Sequence, residues 1–385
     1  DFILIRNPKH TPHSPSPIMF LHHSQSDTVS AAISHRIPSS VLPEELVGEI
    51  LLRLPVKYLF QFKCVCKSWK TLISDPQFAK RHLRIKTTDN QMSVFTVLEE
   101  SRIVSYRLKS LCENPSNHTP VTFSDMTNRD YRIIGSCNGL LCLLDREQRV
   151  RMCNPSIRFY SKKSPQPVSF SCNVEHCGFG YDEVNNKYRV LLVLINRRNN
   201  SCQTLTKVYT FGEDSWKTIQ NFPLPCINPL NLSGKSVSGT LNWIVEKSGV
   251  SVILSFDLEK DTYNEMLLPQ DDGGSICMLY VLNNCLGVCY NYEYFTKNNH
   301  WIAWLMKDYG DVESWTELII IPNFRPTFFA VPLLISENDV LLANSLRPQL
   351  VVYNLNSGKF YHPSINVQLG VDLHIHRESL VLPPC

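Results

Sequence analysis

Few residues of this chain have both the type and the spacing that chemistry requires. His374 and His376 flank Ile375, which sets two imidazoles on one face of a strand and could hold a metal. No carboxylate or third ligand stands beside them, so the pair is expected to be exposed or at the edge of a core. Cys172, His176 and Cys177 offer three ligands but lack the second pair that metal-finger spacing demands. Asp271-Asp272-Gly273-Gly274 shares only its composition with a calcium loop and reads as a solvated turn. There is no G-x-S-x-G elbow, no H-E-x-x-H helix and no G-x-x-x-x-G-K-[ST] phosphate loop. The chain has 14 cysteines, many inside apolar runs, such as Cys64, Cys66, Cys137, Cys142, Cys285 and Cys289. There a free thiol behaves as a small hydrophobe, and nothing calls for an oxidising compartment. The expectation is a chain with no catalytic centre, no metal and no cofactor, whose function lies in its surfaces.

Charge supports that direction. Lysine and arginine total 38 against 35 acidic residues, a net charge of +3. The pairs Lys162-Lys163 and Arg197-Arg198 are isolated, so they read as loop charges and not as a nucleic-acid face. No apolar run approaches the ~18 residues of a membrane span, and residues 1–10 lack the form of a signal peptide. The expected compartment is the cytoplasm or nucleus. Residues 1–37, rich in Pro, Ser and His, read as a disordered arm. Met19 is the first methionine, and residues 1–18 are expected to precede a natural start or to reflect a fragment.

The elements that must carry any surface fall into two textures. Residues 42–83 are helical and unusually apolar. Pro43 with Glu44 and Glu45 suits a helix start, and Leu46, Ile50, Leu51 and Leu54 follow at helical spacing. Pro55 closes that helix and opens a second, in which Val56, Tyr58, Leu59, Phe60, Phe62, Cys64, Val65 and Cys66 leave little polar face. A helix apolar nearly all round has to be enclosed. A third segment, 67–73, carries Trp69 and Leu72 and stops before Asp75-Pro76, and a trailing helix is expected over 78–85. About forty residues cannot bury so many side chains alone, so the rest of the chain or a partner must cover them.

Beyond Lys86 short apolar runs alternate with Asn, Asp, Gly, Ser and Pro, a β pattern. One phrase recurs at 139–165, 188–225, 239–269, 287–322 and 340–363: two apolar strands, a polar turn, then an aromatic. The turn aromatics Tyr160, Trp216, Tyr263, Trp315 and Phe360 are 56, 47, 52 and 45 residues apart. A period of about fifty residues with three or four strands per unit is that of propeller blades. Residues 86–385 hold about six such units, with 86–135 expected as a divergent first one. Each turn aromatic is expected to pack between neighbouring blades.

These residues carry a resemblance. Leu42-Pro43, Ile50-Leu51, Leu54-Pro55, Leu59, Val65-Cys66-Lys67-Ser68-Trp69 and Leu72-Ile73 resemble an F-box, a three-helix adaptor-binding motif. GSCNGLLCL, Asn154-Pro155-Ser156, CGFGYDEVNNKYRV, VYTFGEDSWKTI, GTLNWIV and MKDYGDVESWTEL resemble the F-box-associated interaction domain of plant F-box/kelch-repeat proteins. The expected fold is α+β and multidomain, a three-helix F-box at 38–85 followed by an all-β, kelch-like propeller at 86–385. The glycine pairs of kelch repeats are absent, so "kelch" describes architecture alone. The resemblance implies that the F-box binds a Skp-family adaptor, and a cullin through it, while the propeller binds a target protein for ubiquitination. Adaptor contacts are expected at Leu42, Pro43, Ile50, Leu51, Leu54, Pro55, Leu59 and Cys66, with Trp69 partly internal. Target contacts are expected in the loops 196–206, 226–235, 270–276 and 291–300. The alternative is a propeller enzyme or carbohydrate-binding protein with structural N-terminal helices, in which Trp243, Trp301 or Trp304 would stack on sugars.

Overall fold

The computed structural model describes residues 42–85, 91–97, 103–113, 120–122, 131–168, 172–198, 201–223, 233–269, 275–291, 300–322, 331–344, 350–363 and 373–383. The arm expected at 1–37 and the Asp271–Gly274 turn lie outside them.

Among the described residues four short helices come first: α1 Glu44–Leu51, α2 Val56–Phe62, α3 Lys67–Ser74 and α4 Pro76–Arg84. Prolines set the corners. Pro43 and Pro55 stand at the N-caps of α1 and α2 with extended ψ, where a missing amide donor costs nothing. Asp75 caps α4, its carboxylate accepting from the Gln77 amide at 2.9 Å, and Pro76 takes the first helical position. Leu51, Leu52, Val56, Leu59, Ile73, Phe78 and Ala79 form the helical core.

The remaining described strands build six four-stranded antiparallel sheets. Blade 2 shows the plan: Arg132–Cys137 innermost, then Leu140–Leu144, Val150–Asn154 and Phe159–Tyr160 outward. Blades 3 to 6 repeat it, starting from the inner strands Asn173–Asp182, Lys235–Val237, Ser275–Leu282 and Val331–Ile335. Inner hairpins turn tightly because two residues take positive φ: Asn138-Gly139 at +51° and +71°, Ser238-Gly239 at +47° and +73°, Asn283-Asn284 at +50° and +64°. Such turns match the twist of the strands they join.

Blade 1 corrects the expected repeat. Its outer strands Met92–Val97, Ile103–Arg107 and Val121–Thr122 are completed by His374–Arg377 from the far end of the chain, which pairs with Met92–Val97. The first unit therefore does not run over 86–135, and Arg132–Cys137 belongs to blade 2. Ring closure explains the difference, since the last strand seals the sheet edge that the first blade would otherwise expose. The same closure buries both histidines once expected at a surface or core edge: His374 and His376 are 8% and 3% exposed.

Strand alternation distributes side chains between neighbouring blades. Leu140, Cys142 and Leu144 face blade 3 while Leu141 and Leu143 face blade 1; Val190, Leu192 and Leu194 face blade 2 while Leu191 and Val193 face blade 4. Among the described residues six apolar clusters result, one between each pair of adjacent blades around the ring. Four of the five turn aromatics, Tyr160, Trp216, Tyr263 and Trp315, sit in or against these clusters. Phe360 stays at the edge: it is 37% exposed and meets at a tilt the ring of Tyr353 in its own blade, which belongs to the cluster between blades 5 and 6.

Candidate functional site

Helix α1 and the residues that flank it carry two apolar stripes. Val47, Leu51 and Leu54 point inward, with Leu51 buried and the other two packed against the same core. Leu42, Leu46 and Ile50, four residues apart, point outward at 47%, 53% and 52% exposure. Tyr58 on α2 and Val65 in the α2–α3 turn are also exposed. Phe60 is exposed as well, but it lies with Lys63 on a cleft of about 1140 Å³ between the helices and the propeller.

The residues expected to touch an adaptor therefore divide. Leu42, Pro43, Ile50 and Cys66 are exposed, and Leu54, Pro55 and Trp69 are half-buried. Leu51 and Leu59, at 1% and 0% exposure, are core residues and present no surface to a partner, which corrects their expected role. The reason is local. Val56 and Leu59 lie on one side of α2 and meet Ile73 of α3 and Phe78 of α4, so the fourth helix covers what three would leave open. Leu46, Tyr58 and Val65 were missed as surface residues; the Leu42-Leu46-Ile50 spacing was the available signal. Trp69 meets Phe62 edge-on at 5.5 Å. Cys66 caps α3, and a contact of 3.2 Å with the Ser68 hydroxyl holds its thiol below the usual range.

Beneath this surface the helices rest on the propeller. The His82 imidazole donates to the Leu54 carbonyl at 2.9 Å, tying α4 to the α1–α2 corner, and burial holds it below its ordinary pKa. Lys80 donates to Asn186 of blade 3 at 2.9 Å. Leu380 completes the helical core, with Ile157 and Val381 packed against it. The cleft is lined by inner-hairpin residues including Asn138, Gly139, Asn186 and Asn284, so the inner hairpins define the face that meets the helices. By strand alternation the second-to-third turns and the links between blades leave from the opposite, distal face. All four loops expected to contact a target, 196–206, 226–235, 270–276 and 291–300, join strands at that distal end, and each lies partly outside the described residues.

The residues singled out for other chemistry are occupied structurally. His176 stacks on Phe222 at 5.1 Å, and Cys177 accepts from Arg132 at 3.6 Å. Trp243 and Trp301 are each 1% exposed within interblade clusters, and Trp304 packs against another. Among the described residues no group of three potential metal ligands comes together, and no helix is long and apolar enough to cross a membrane.

A compact helical unit with an exposed apolar stripe is seated on one face of a closed propeller, which defines a two-part chain of helices and an all-β ring. A model of the F-box domain matches residues 39–81, and one of the F-box associated beta propeller domain matches residues 94–370. The chain belongs to the F-box proteins that carry this propeller. It is 34% identical over 359 residues to F-box/kelch-repeat protein At3g23880 of Arabidopsis thaliana, covering 89% of this chain and 96% of that protein. To F-box protein At4g22390 of the same plant it is 24% identical over 372 residues, covering 88% and 90%.

Proposed function

We propose that this chain is the substrate-recognition subunit of a Skp–cullin–F-box ubiquitin ligase. The F-box binds a Skp-family adaptor, a cullin joins through that adaptor, and the distal face of the propeller binds a target protein. The observation that carries the reading is the exposed stripe of Leu42, just before α1, with Leu46 and Ile50 on it, while the other face of that helix is already packed. Adaptor contacts are assigned to Leu42, Pro43, Leu46, Ile50, Tyr58, Val65 and Cys66, with Leu54, Pro55 and Trp69 at the rim. The subunit supplies proximity and not a catalytic group, holding a target lysine near the conjugating enzyme, which by itself accounts for a large share of a barrier. The reading entails work in the cytoplasm or nucleus. A sugar-stacking role finds no support in Trp243 or Trp301, whose faces are enclosed.

Co-purification tests this. The full chain should recover adaptor and cullin from a cell extract, and Leu46→Asp with Ile50→Asp should abolish recovery while the propeller stays folded. Equal recovery by that variant would overturn the assignment.

A further inference from the structure

Two turns, one at Asn138-Gly139 and one entered through Asn154-Pro155-Ser156, converge on the stretch that follows the closing strand His374–Arg377. We infer that residues 378–382 form a clasp that locks the F-box onto the propeller at one geometry, with Asn154, Ser156 and Leu380 as its positioning residues.

The clasp is held to blade 2 through its backbone. Asn154 is fully buried, and its side-chain amide donates to the carbonyls of Ser379 at 2.9 Å and Val381 at 2.7 Å. Its own oxygen accepts from the Ser156 amide at 2.9 Å, so both ends of the side chain are engaged. The Ser379 amide donates to the Ser156 hydroxyl at 3.1 Å, and the Val381 amide to the Ser379 hydroxyl at 3.0 Å. Ser379 is wholly enclosed. A Cβ added at Gly139 would overlap its side chain and stand 2.7 Å from the Arg377 carbonyl, so only glycine lets the clasp lie this close. Upstream, the Ser136 hydroxyl donates to the Ile375 carbonyl at 2.8 Å and the His376 imidazole to the Gly139 carbonyl at 3.0 Å.

With Ser379 and Val381 fixed on either side, Leu380 has one direction left, and it enters the helical core beside Leu51, Leu59, Ile73 and Phe78 at 6% exposure. Arg377 donates to the Ile85 carbonyl, and the Glu378 amide to the Gln91 carbonyl at 3.0 Å, which brackets the covalent connection between F-box and propeller. A single tether leaves two domains free to move relative to one another unless an interface opposes it. A second attachment through a buried leucine removes that freedom. Resting on the ubiquitin-ligase reading, the consequence is that adaptor surface and distal face keep a fixed separation, on which transfer by proximity depends.

The test uses the full chain with Leu380→Ala and, separately, Asn154→Ala. Proteolysis at the connection, residues 86–90, should accelerate on the order of tenfold or more, the response to truncating a buried leucine. The radius of gyration in solution scattering should rise, while affinity for a purified Skp-family adaptor is unchanged. Wild-type cleavage rates and scattering in both variants would overturn the clasp. Should a variant fail to fold, native-state hydrogen exchange on the unmodified chain decides. Ser379 and Val381 amides as protected as those of the closing strand support the clasp, and exchange at the open-chain rate refutes it. Absence of adaptor binding by the wild type would sink the ligase reading, yet cleavage, scattering and exchange would still judge the clasp.

Discussion

Leu59 and Ile50 belong to the same helical unit and have opposite fates, one enclosed and one bare. Leu59→Ala is expected to lower stability by about 2–5 kcal/mol, read as a shift in the urea midpoint, because it opens a cavity among Val56, Ile73 and Phe78. Ile50→Ala should leave stability within about 0.5 kcal/mol. Its expected effect is instead a loss of about 2 kcal/mol in adaptor affinity, measured by titration. Histidine 376 makes a different prediction. Burial pushes its imidazole down to about 4, the bond to the Gly139 carbonyl offsetting part of that. The unfolded chain takes up this proton below the ordinary value of 6.5, whereas the folded chain waits until about 4. Stability from this group is therefore complete above the unfolded value and falls with pH, by about 3 kcal/mol across that window. A His376→Gln variant keeps a donor without a titrating ring, so its urea midpoint should fall less between pH 7 and pH 4 than that of the wild type, a difference the paired titrations measure directly.

Elements owe their placement to contacts that local pattern reveals unequally. The outer three strands of blades 2 to 6 were legible because short apolar runs recur there and an aromatic follows each third-to-fourth turn. Inner strands and ring closure were not, since the partner of Met92–Val97 is His374–Arg377 and no local period links them. The F-box was legible as a motif, but the roles of its two α1 stripes were not. Both stripes are apolar at helical spacing, and only the positions of α4 and Leu380 decide which is covered. The Asn154 triplet carries a family resemblance in the sequence, while its binding of Ser379 and Val381 depends on residues more than two hundred positions away. Between blades 3 and 4, Arg189 donates to Asp261 at 2.6 Å with side chains 9% and 15% exposed. Lys217 reaches the same carboxylate at 2.6 Å from a more open position. Removing the carboxylate strands a buried guanidinium, so Asp261→Ala should cost about 3 kcal/mol in the unfolding free energy. The same change at the exposed Glu213, paired with Lys187, should cost no more than about 1 kcal/mol.

At the scale of the whole molecule, six interblade clusters close a ring and a seventh joins the ring to the helices. One face of the propeller is occupied by the F-box, and under the proposed function the distal face takes a target and the outward stripe along α1 takes an adaptor. The account stands on that stripe being an interface. A calorimetric titration of the full chain with a purified Skp-family adaptor tests it most directly. The wild type is predicted to bind at about micromolar affinity or tighter, and Leu46→Ala combined with Ile50→Ala to weaken binding by two orders of magnitude or more, about 3 kcal/mol, without altering the propeller's thermal transition. Binding of equal strength by both proteins, or none by the wild type, would contradict it.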